Sequence, residues 1–292
     1  MPDDGLEVLK QHDAIYFGSV GSQEVPDHIS LRELRIRICL GLNLEVCTRP
    51  AWILPGVKSC LVLQDNKDVD WYCIRQNTLG EYAGEGTLDR LGGTATDIAI
   101  YNGDSIKRIA HYAFKLARTR SKKVAFGTKS NAMPNGMVFW DENIQAVANE
   151  YPDVRCERVL TDALLYRMLI APKSLDVILG TNLHLDFLTD AAAAVMGSLG
   201  LAPSGNIDPT RKNPPMFEPT HGSGYDLIGT GYANPIGAIL SGGLMLEYLG
   251  EMDAARKLRQ AVETVTSLGI KTPDIGGKSK ASEVTSAVCQ SC

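Results

Sequence analysis

Several things are missing from this sequence, and each absence removes a class of function. No apolar run approaches the roughly 18 residues of a membrane-spanning helix. The opening MPDDGLEVLKQHD is acidic and lacks the charged-then-apolar layout of a secretory signal. Positive charge is in deficit: the formal net charge is −5, with both signs interspersed, whereas a nucleic-acid binder would carry a basic patch. The seven cysteines (39, 47, 60, 73, 156, 289 and 292) include no CxxC pair matched by a second at zinc-finger spacing. Only Cys289 and Cys292 are close, at the terminus. The GSVGS at 18–22 has the wrong spacing for a GxGxxG dinucleotide fingerprint. Reduced thiols and a cytoplasmic location are expected, with no membrane or nucleic-acid partner.

What is present is enough for a sizeable core: 292 residues, 44% of them hydrophobic, arranged as one large domain or two lobes. Short apolar runs read as buried strands at Ala14–Val20, Val69–Gln76, Lys123–Lys129 and Leu175–Asn182. Between them run helical patterns. Ser105–Arg120 sets Ile106, Ile109, Phe114 and Leu116 on one stripe, and Asp141–Tyr151 and Thr161–Ala171 are similar. Asn234–Gly250 suits a buried helix, Met252–Gly269 is amphipathic and stopped by Gly269, and the glycine- and serine-rich tail ends in a short helix. Alternation of strand and helix predicts an α/β architecture.

In TNLHLDFLTD (181–190), Asp186 and Asp190 sit four apart in an apolar run of helix formers. On a helix they share a face, and like charges so placed repel. One reading makes them N-terminal capping anions. The other makes them oxygen ligands for a hard divalent cation, with Asp162 as a third candidate.

The motifs around them favour the second. VPDHISL, RPAWILPGVKS, NTLGEY, TKSNAM, FWDE, FEPTHGSGYDLIGTGYANP and GGKSKASEVTSAVC, in order across nearly the whole chain, resemble the isocitrate/isopropylmalate dehydrogenase family, and within it the tartrate and D-malate dehydrogenase branch. The resemblance implies a two-lobed α/β fold with the active site in the cleft. The cofactor-side lobe would comprise 1–44 and 197–292, and the substrate, metal and dimerisation lobe 45–196. It implies Mg2+ or Mn2+ on Asp162, Asp186 and Asp190, one of them from the partner subunit of a homodimer. Arg49, Arg75 and Asn131 correspond to residues around the substrate, Tyr82 and Lys129 to the catalytic pair, and His221, Gly222, Asp226 and Asn234 to the adenosine-binding loop. The implied reaction is NAD-dependent oxidation of a 2-hydroxy dicarboxylate such as D-malate or tartrate, with or without loss of CO2. Lys129 would act as base and Tyr82 as acid. A 3-isopropylmalate-like substrate, or a paralogue that keeps fold and dimer without turnover, are the alternatives. Asp226 and Leu227 match NAD-using branches.

Departures from the family pattern are local. Cys39 stands where another substrate arginine is expected, and Arg35 and Arg37 are expected to point elsewhere on their helix. Gln76 and Leu79 replace glutamates, Leu185 replaces a glycine and should crowd its turn, and Gly224-Tyr225 replace Ala-Pro. IAIYNGDSIKRI is shorter than its counterpart. About 50 to 60 family residues, set against typical lobe sizes, have no counterpart ahead of residue 14, so low solubility and weak activity are expected of the chain by itself.

Overall fold

A computed structural model describes residues 1–63 and 65–292. In chain order its first elements are α1 (Gly5–Leu9), β1 (Ile15–Tyr16), α2 (Asp27–Ser30), a π-helical stretch Leu31–Ile36, and α3 (Arg37–Gly41). Next come β2 (Val46–Trp52), β3 (Asp70–Gln76) and a hairpin of β4 (Gly80–Asp89) and β5 (Thr94–Ile100). Then follow α4 (Gly103–Arg118), β6 (Lys123–Thr128), α5 (Gly136–Ala148), β7 (Arg155–Leu160), α6 (Thr161–Ile170), β8 (Val177–Gly180) and α7 (Asn182–Met196). The last part contains β9 (Pro203–Ile207), β10 (Met216–Pro219), α8 (Ile236–Tyr248), α9 (Met252–Ser267) and α10 (Ala281–Ser291).

One eight-stranded mixed sheet runs in the order β1-β10-β9-β2-β3-β8-β6-β7. Strand residues point alternately to its two faces. Ile74, Val124, Phe126, Val177 and Leu179 pack on one side with α4 and α5. Trp71, Cys73, Ala125 and Ile178 face the other way, against α6 to α10. Apolar cover on both faces explains why these strands read as continuous apolar runs rather than as alternating ones. The two segments inferred from sequence form consecutive blocks of strands, meeting where β2 pairs antiparallel with β9 (Val46 opposite Ile207).

Local chemistry sets the helix limits. Asn102 accepts from Ser105 N (3.1 Å) and so caps α4, whose buried stripe is Ile106, Ile109, Ala113, Phe114 and Ala117, with Leu116 at its margin. α9 ends ahead of Gly269, whose positive φ of 82° is costly for any residue with a side chain.

The run Ala14–Val20 pairs far less than its composition predicts. Phe17 N donates to Phe217 O (2.8 Å), but the next donor in this parallel ladder belongs to Pro219, which has no N–H. The ladder stops there, and residues 17–20 turn into the wall of a cleft.

Candidate active site

Antiparallel pairing of β2 with β3 sets Cys47 opposite Arg75 and Arg49 opposite Cys73. Residues 47 and 49 share a face, so both arginines project toward α7. That helix answers with residues at i, i+4 and i+7. Asn182 Oδ1 accepts from Arg75 Nε (2.8 Å), and Thr189 Oγ1 accepts from Arg49 Nη1 (2.6 Å). Between them, Asp186 Oδ1 pairs with Arg75 Nη1 and lies 3.5 Å from Arg49 Nη1, while Oδ2 accepts from Tyr82 Oη (2.8 Å). Arg75 also lies over the Tyr82 ring, 5.4 Å from its centroid.

Both arginines are buried, and a buried charge needs a partner. Asp186 supplies it. Burial pushes the Asp186 carboxyl upward, but Arg75, Arg49 and the Tyr82 hydroxyl outweigh that and hold it below the usual range. Tyr82 moves the other way, pushed up to about 12 by burial and then by its bond to Asp186. The capping reading of Asp186 and Asp190 does not hold, because α7 starts at Asn182 and both lie beyond its first turn.

Arg49, Arg75, Tyr82 and Asp186 line a cleft of 470 Å³ together with Arg35, Glu218, His221 and Gly222. Arg35 corrects an expectation. It lies four residues before Cys39, hence on the same helical face, and its long side chain reaches Glu218 Oε1 (2.8 Å) and Asn206 Oδ1 (3.4 Å). Spacing alone could have found it. Glu218, in FEPTHG, and Glu81, beside Tyr82, also line the cleft without having been singled out.

The other departures have local explanations. Leu185 is fully buried above Gly180, where a Cβ would come within 1.8 Å of Leu185 Cδ2; the absent side chain removes the expected crowding. Gln76 folds back on its own turn, accepting from Thr78 N and Leu79 N (3.1 and 2.7 Å). Tyr225 seats against Gly21, where a Cβ would meet its hydroxyl at 2.4 Å.

The remaining predicted residues lie apart from this cluster. Lys129 Nζ pairs with Asp162 Oδ1 (2.7 Å), and that contact lowers the Asp162 carboxyl. Neither residue lines the cleft, and Asn131 is exposed in the turn after Lys129. Asp190, one turn beyond Asp186, is pushed up by desolvation and by that neighbour's like charge, against the pull of Arg49. Among the described residues of one chain, no three His, Cys, Asp or Glu side chains converge in a metal-binding group. His221 is held by Ser19 Oγ, which donates to its carbonyl (3.0 Å), so the residue 17–20 turn and the 221–222 turn form one wall. Asp226 is exposed on a single 3₁₀ turn, and Asn234 donates to Asp274 Oδ2 (2.9 Å) while its Oδ1 accepts from Ile236 N at the start of α8.

Known proteins resemble this chain over nearly its whole length. A probable tartrate dehydrogenase/decarboxylase of Agrobacterium vitis is 50% identical over 293 residues, covering 99% of this chain and 82% of the relative. The D-malate dehydrogenase [decarboxylating] of Escherichia coli (strain K12) is 39% identical over 301 residues, covering 99% and 83%. The crystal structure of isocitrate dehydrogenase from Methylococcus capsulatus superposes with a TM-score of 0.91 at 31% identity, over 100% of this chain and 85% of that one. Residues 1–288 match the isocitrate/isopropylmalate dehydrogenase family. A doubly covered α/β sheet, a cleft floored by arginines and an end-to-end match lead to one conclusion: this chain is an oxidoreductase belonging to the isocitrate/isopropylmalate dehydrogenase family.

Proposed function

We propose that the chain oxidises a 2-hydroxy dicarboxylate such as D-malate or tartrate, with NAD as hydride acceptor and Mg2+ or Mn2+ at the aspartates, and with loss of CO2 where the product permits it. The observation that carries this is the convergence of guanidinium groups on the cleft. Arg35, Arg49 and Arg75 all line it, held there by ion pairs with Glu218 and Asp186. Guanidinium groups bind carboxylates through paired N–H donors, which supports a carboxylate substrate.

The carboxylate pair fits part of a hard-cation site. Asp186 and Asp190 share a helix face, and the Asp190 carboxyl is raised by burial first and by the like charge of Asp186 second. A third oxygen would come from Asp162 of the partner subunit. In support, exposed apolar Tyr166, Ile170 and Phe187 lie on α6 and α7, the helices that carry these aspartates, as a homodimer contact would require. When bound, such an ion supplies Lewis acidity toward a neighbouring hydroxyl or carbonyl. Arg49 and Arg75 orient the substrate carboxylates. Lys129, travelling with Asp162, takes the hydroxyl proton, and Tyr82, which stays protonated at neutral pH, returns one to carbon after CO2 leaves.

For the nucleotide, the 17–20 and 221–222 turns offer a wall in which Gly18 and Gly222 leave the approach open. Asp226 would accept from a ribose 2′-hydroxyl and repel a 2′-phosphate, hence NAD over NADP. The segments 1–44 with 197–292, and 45–196, are assigned to nucleotide and substrate sides. All seven cysteines are free, which suits a cytoplasmic location. The test is reduced-cofactor formation with D-malate, tartrate and 3-isopropylmalate, each with NAD or NADP and Mn2+ or Mg2+. Turnover of D-malate or tartrate with NAD is expected; turnover of 3-isopropylmalate alone, or equal efficiency with NADP, overturns the assignment.

A further inference from the structure

Glu218 is almost wholly buried, and a buried carboxylate needs partners for both of its oxygens. Only one oxygen is provided for. Oε1 accepts from Arg35 Nε and from Asn206 Nδ2 (both 2.8 Å), whereas Oε2 bonds no group among the described residues. Oε2 keeps solvent access, and Glu218 lines the cleft. Arg35 is built the same way. Its Nε holds Glu218 and its Nη2 reaches Asn206 Oδ1 (3.4 Å), which leaves the donors of Nη1 unused and accessible. The other carboxylates of the cleft floor are occupied. Glu81 accepts from Tyr101 Oη and Leu183 N (3.0 and 3.3 Å), and the two Asp186 oxygens are taken by Arg75 and Tyr82. Asp97 stands out on the exposed hairpin. Arg35 and Glu218 thus present one free donor and one free acceptor side by side.

Sheet register and a local change of helix type place the pair. Glu218 lies opposite Ser204, and Thr48 opposite Gly205. Arg49 and Glu218 therefore flank Ser204 on one face of the sheet, two strand spacings or about 10 Å apart. Arg35 reaches in from the π-helical stretch Leu31–Ile36, a geometry that is rare and concentrated at functional sites. A four-carbon acid held by Arg49 and Arg75 extends toward Arg35 and Glu218. What it carries there decides the fit. A hydroxyl accepts from Nη1 and donates to Oε2, completing both. A hydrogen completes neither, an apolar branch strands both, and a further carboxylate meets the like charge of Glu218.

We propose that Arg35 and Glu218 are the specificity-determining pair of this cleft, recognising a hydroxyl on the carbon next to the one that is oxidised. The inference rests on the proposed reading of the reaction and narrows it. A dicarboxylate with two neighbouring hydroxyls is preferred over its monohydroxy counterpart, and one orientation of the second hydroxyl over the other.

Three compounds isolate that hydroxyl. D-malate, L-tartrate and meso-tartrate share their configuration at one carbinol carbon. They differ only at its neighbour, which carries a hydrogen or a hydroxyl in either orientation. With NAD and Mn2+, one tartrate should exceed both D-malate and the other tartrate in kcat/KM by about 10- to 100-fold, the range for a hydrogen bond to charged groups. Equal efficiency for the three overturns the proposal. Glu218→Gln keeps the shape and replaces one acceptor oxygen with a donor. Arg35→Lys keeps the charge, with its single nitrogen occupied by Glu218. In either variant the preference should fall by about tenfold. The ratio between substrates does not depend on how much of the enzyme folds, so an unchanged ratio leaves the pair a purely structural role and refutes it as a reader. Calorimetric binding of the same three acids, with Mn2+ and without NAD, repeats the comparison without turnover. A preference in binding that Glu218→Gln removes, with none of the acids oxidised, upholds the pair and discards the reaction; oxidation of all three without preference does the reverse.

Discussion

Two clusters of opposite charge in this chain are built in different ways. Around Asp186, two buried arginines, a tyrosine and an asparagine are fixed by β2, β3, β4 and α7. Around Asp162, a lysine and an aspartate meet at the protein surface, with Asp162 side-chain exposure at 65%. A desolvated ion pair must be complete in the folded chain, since an unmatched buried charge is strongly destabilising. A solvated pair has no such requirement and can wait for a second surface. The contrast teaches that preorganisation and assembly are divided between the halves of the proposed site.

The sharpest way to break this comparison is Arg75→Met. It leaves Asp186 half-buried with only Arg49 beside it and removes a carboxylate donor. Loss of about 3 kcal/mol in denaturant unfolding is expected from stranding one partner of a buried pair, together with near-complete loss of turnover. A stability change within error would mean that Arg49 alone balances the aspartate.

A smaller effect is expected from the metal. Mn2+ at about 100 times its dissociation constant should stabilise the chain by about 2.7 kcal/mol, read as a rise in melting temperature. Asp186→Asn should lose most of that rise. An unchanged melting curve across millimolar Mn2+ would remove the ion from the aspartates.

The pH dependence of stability sharpens the same picture. The Asp186 carboxyl is lowered in the folded chain, so its contribution is present above the ordinary carboxylate pKa of about 3.9 and fades as pH falls through the folded value. Tyr82 is raised to about 12, so its share is complete below about 10 and disappears as pH climbs toward 12. Subtracting the Tyr82→Phe profile from the wild type should show a difference that declines only in that alkaline window. A decline beginning near neutrality would contradict the Asp186–Tyr82 bond.

The smallest structural effect belongs to the exposed pair. Lys129→Met should leave the unfolding midpoint unchanged within error, since solvated ion pairs contribute little, while abolishing turnover. A large fall in the midpoint would make Lys129 structural and erase the contrast between the clusters.

How far the sequence carried can be judged residue by residue. Long helices such as α4 and α9 were legible from their apolar stripes, and strands buried on both faces from their continuous apolar runs. The first strand was not, because its length was decided by Pro219 some two hundred residues away, a long-range constraint that no local window contains. Arg35 was missed through a wrong assignment of helical face, although its spacing from Cys39 held the answer. The capping of α7 by Glu81 was out of reach, since it depends on where the β4 hairpin lies. Motif order exposed Arg49, Arg75, Tyr82 and Asp186 of the cleft; which of them share a side of the sheet required the β2–β3 register.

The packing of Leu185 onto Gly180 also constrains the order in which this chain can change. With Leu185 present, even alanine at 180 would collide with the end of its buried side chain, so a Gly180→Ala step alone should destabilise the chain. Once position 185 is small, the same step becomes permissible. The two sites are epistatic: each substitution sets the fitness of the other, and a lineage can cross between the two packings only by shrinking residue 185 first.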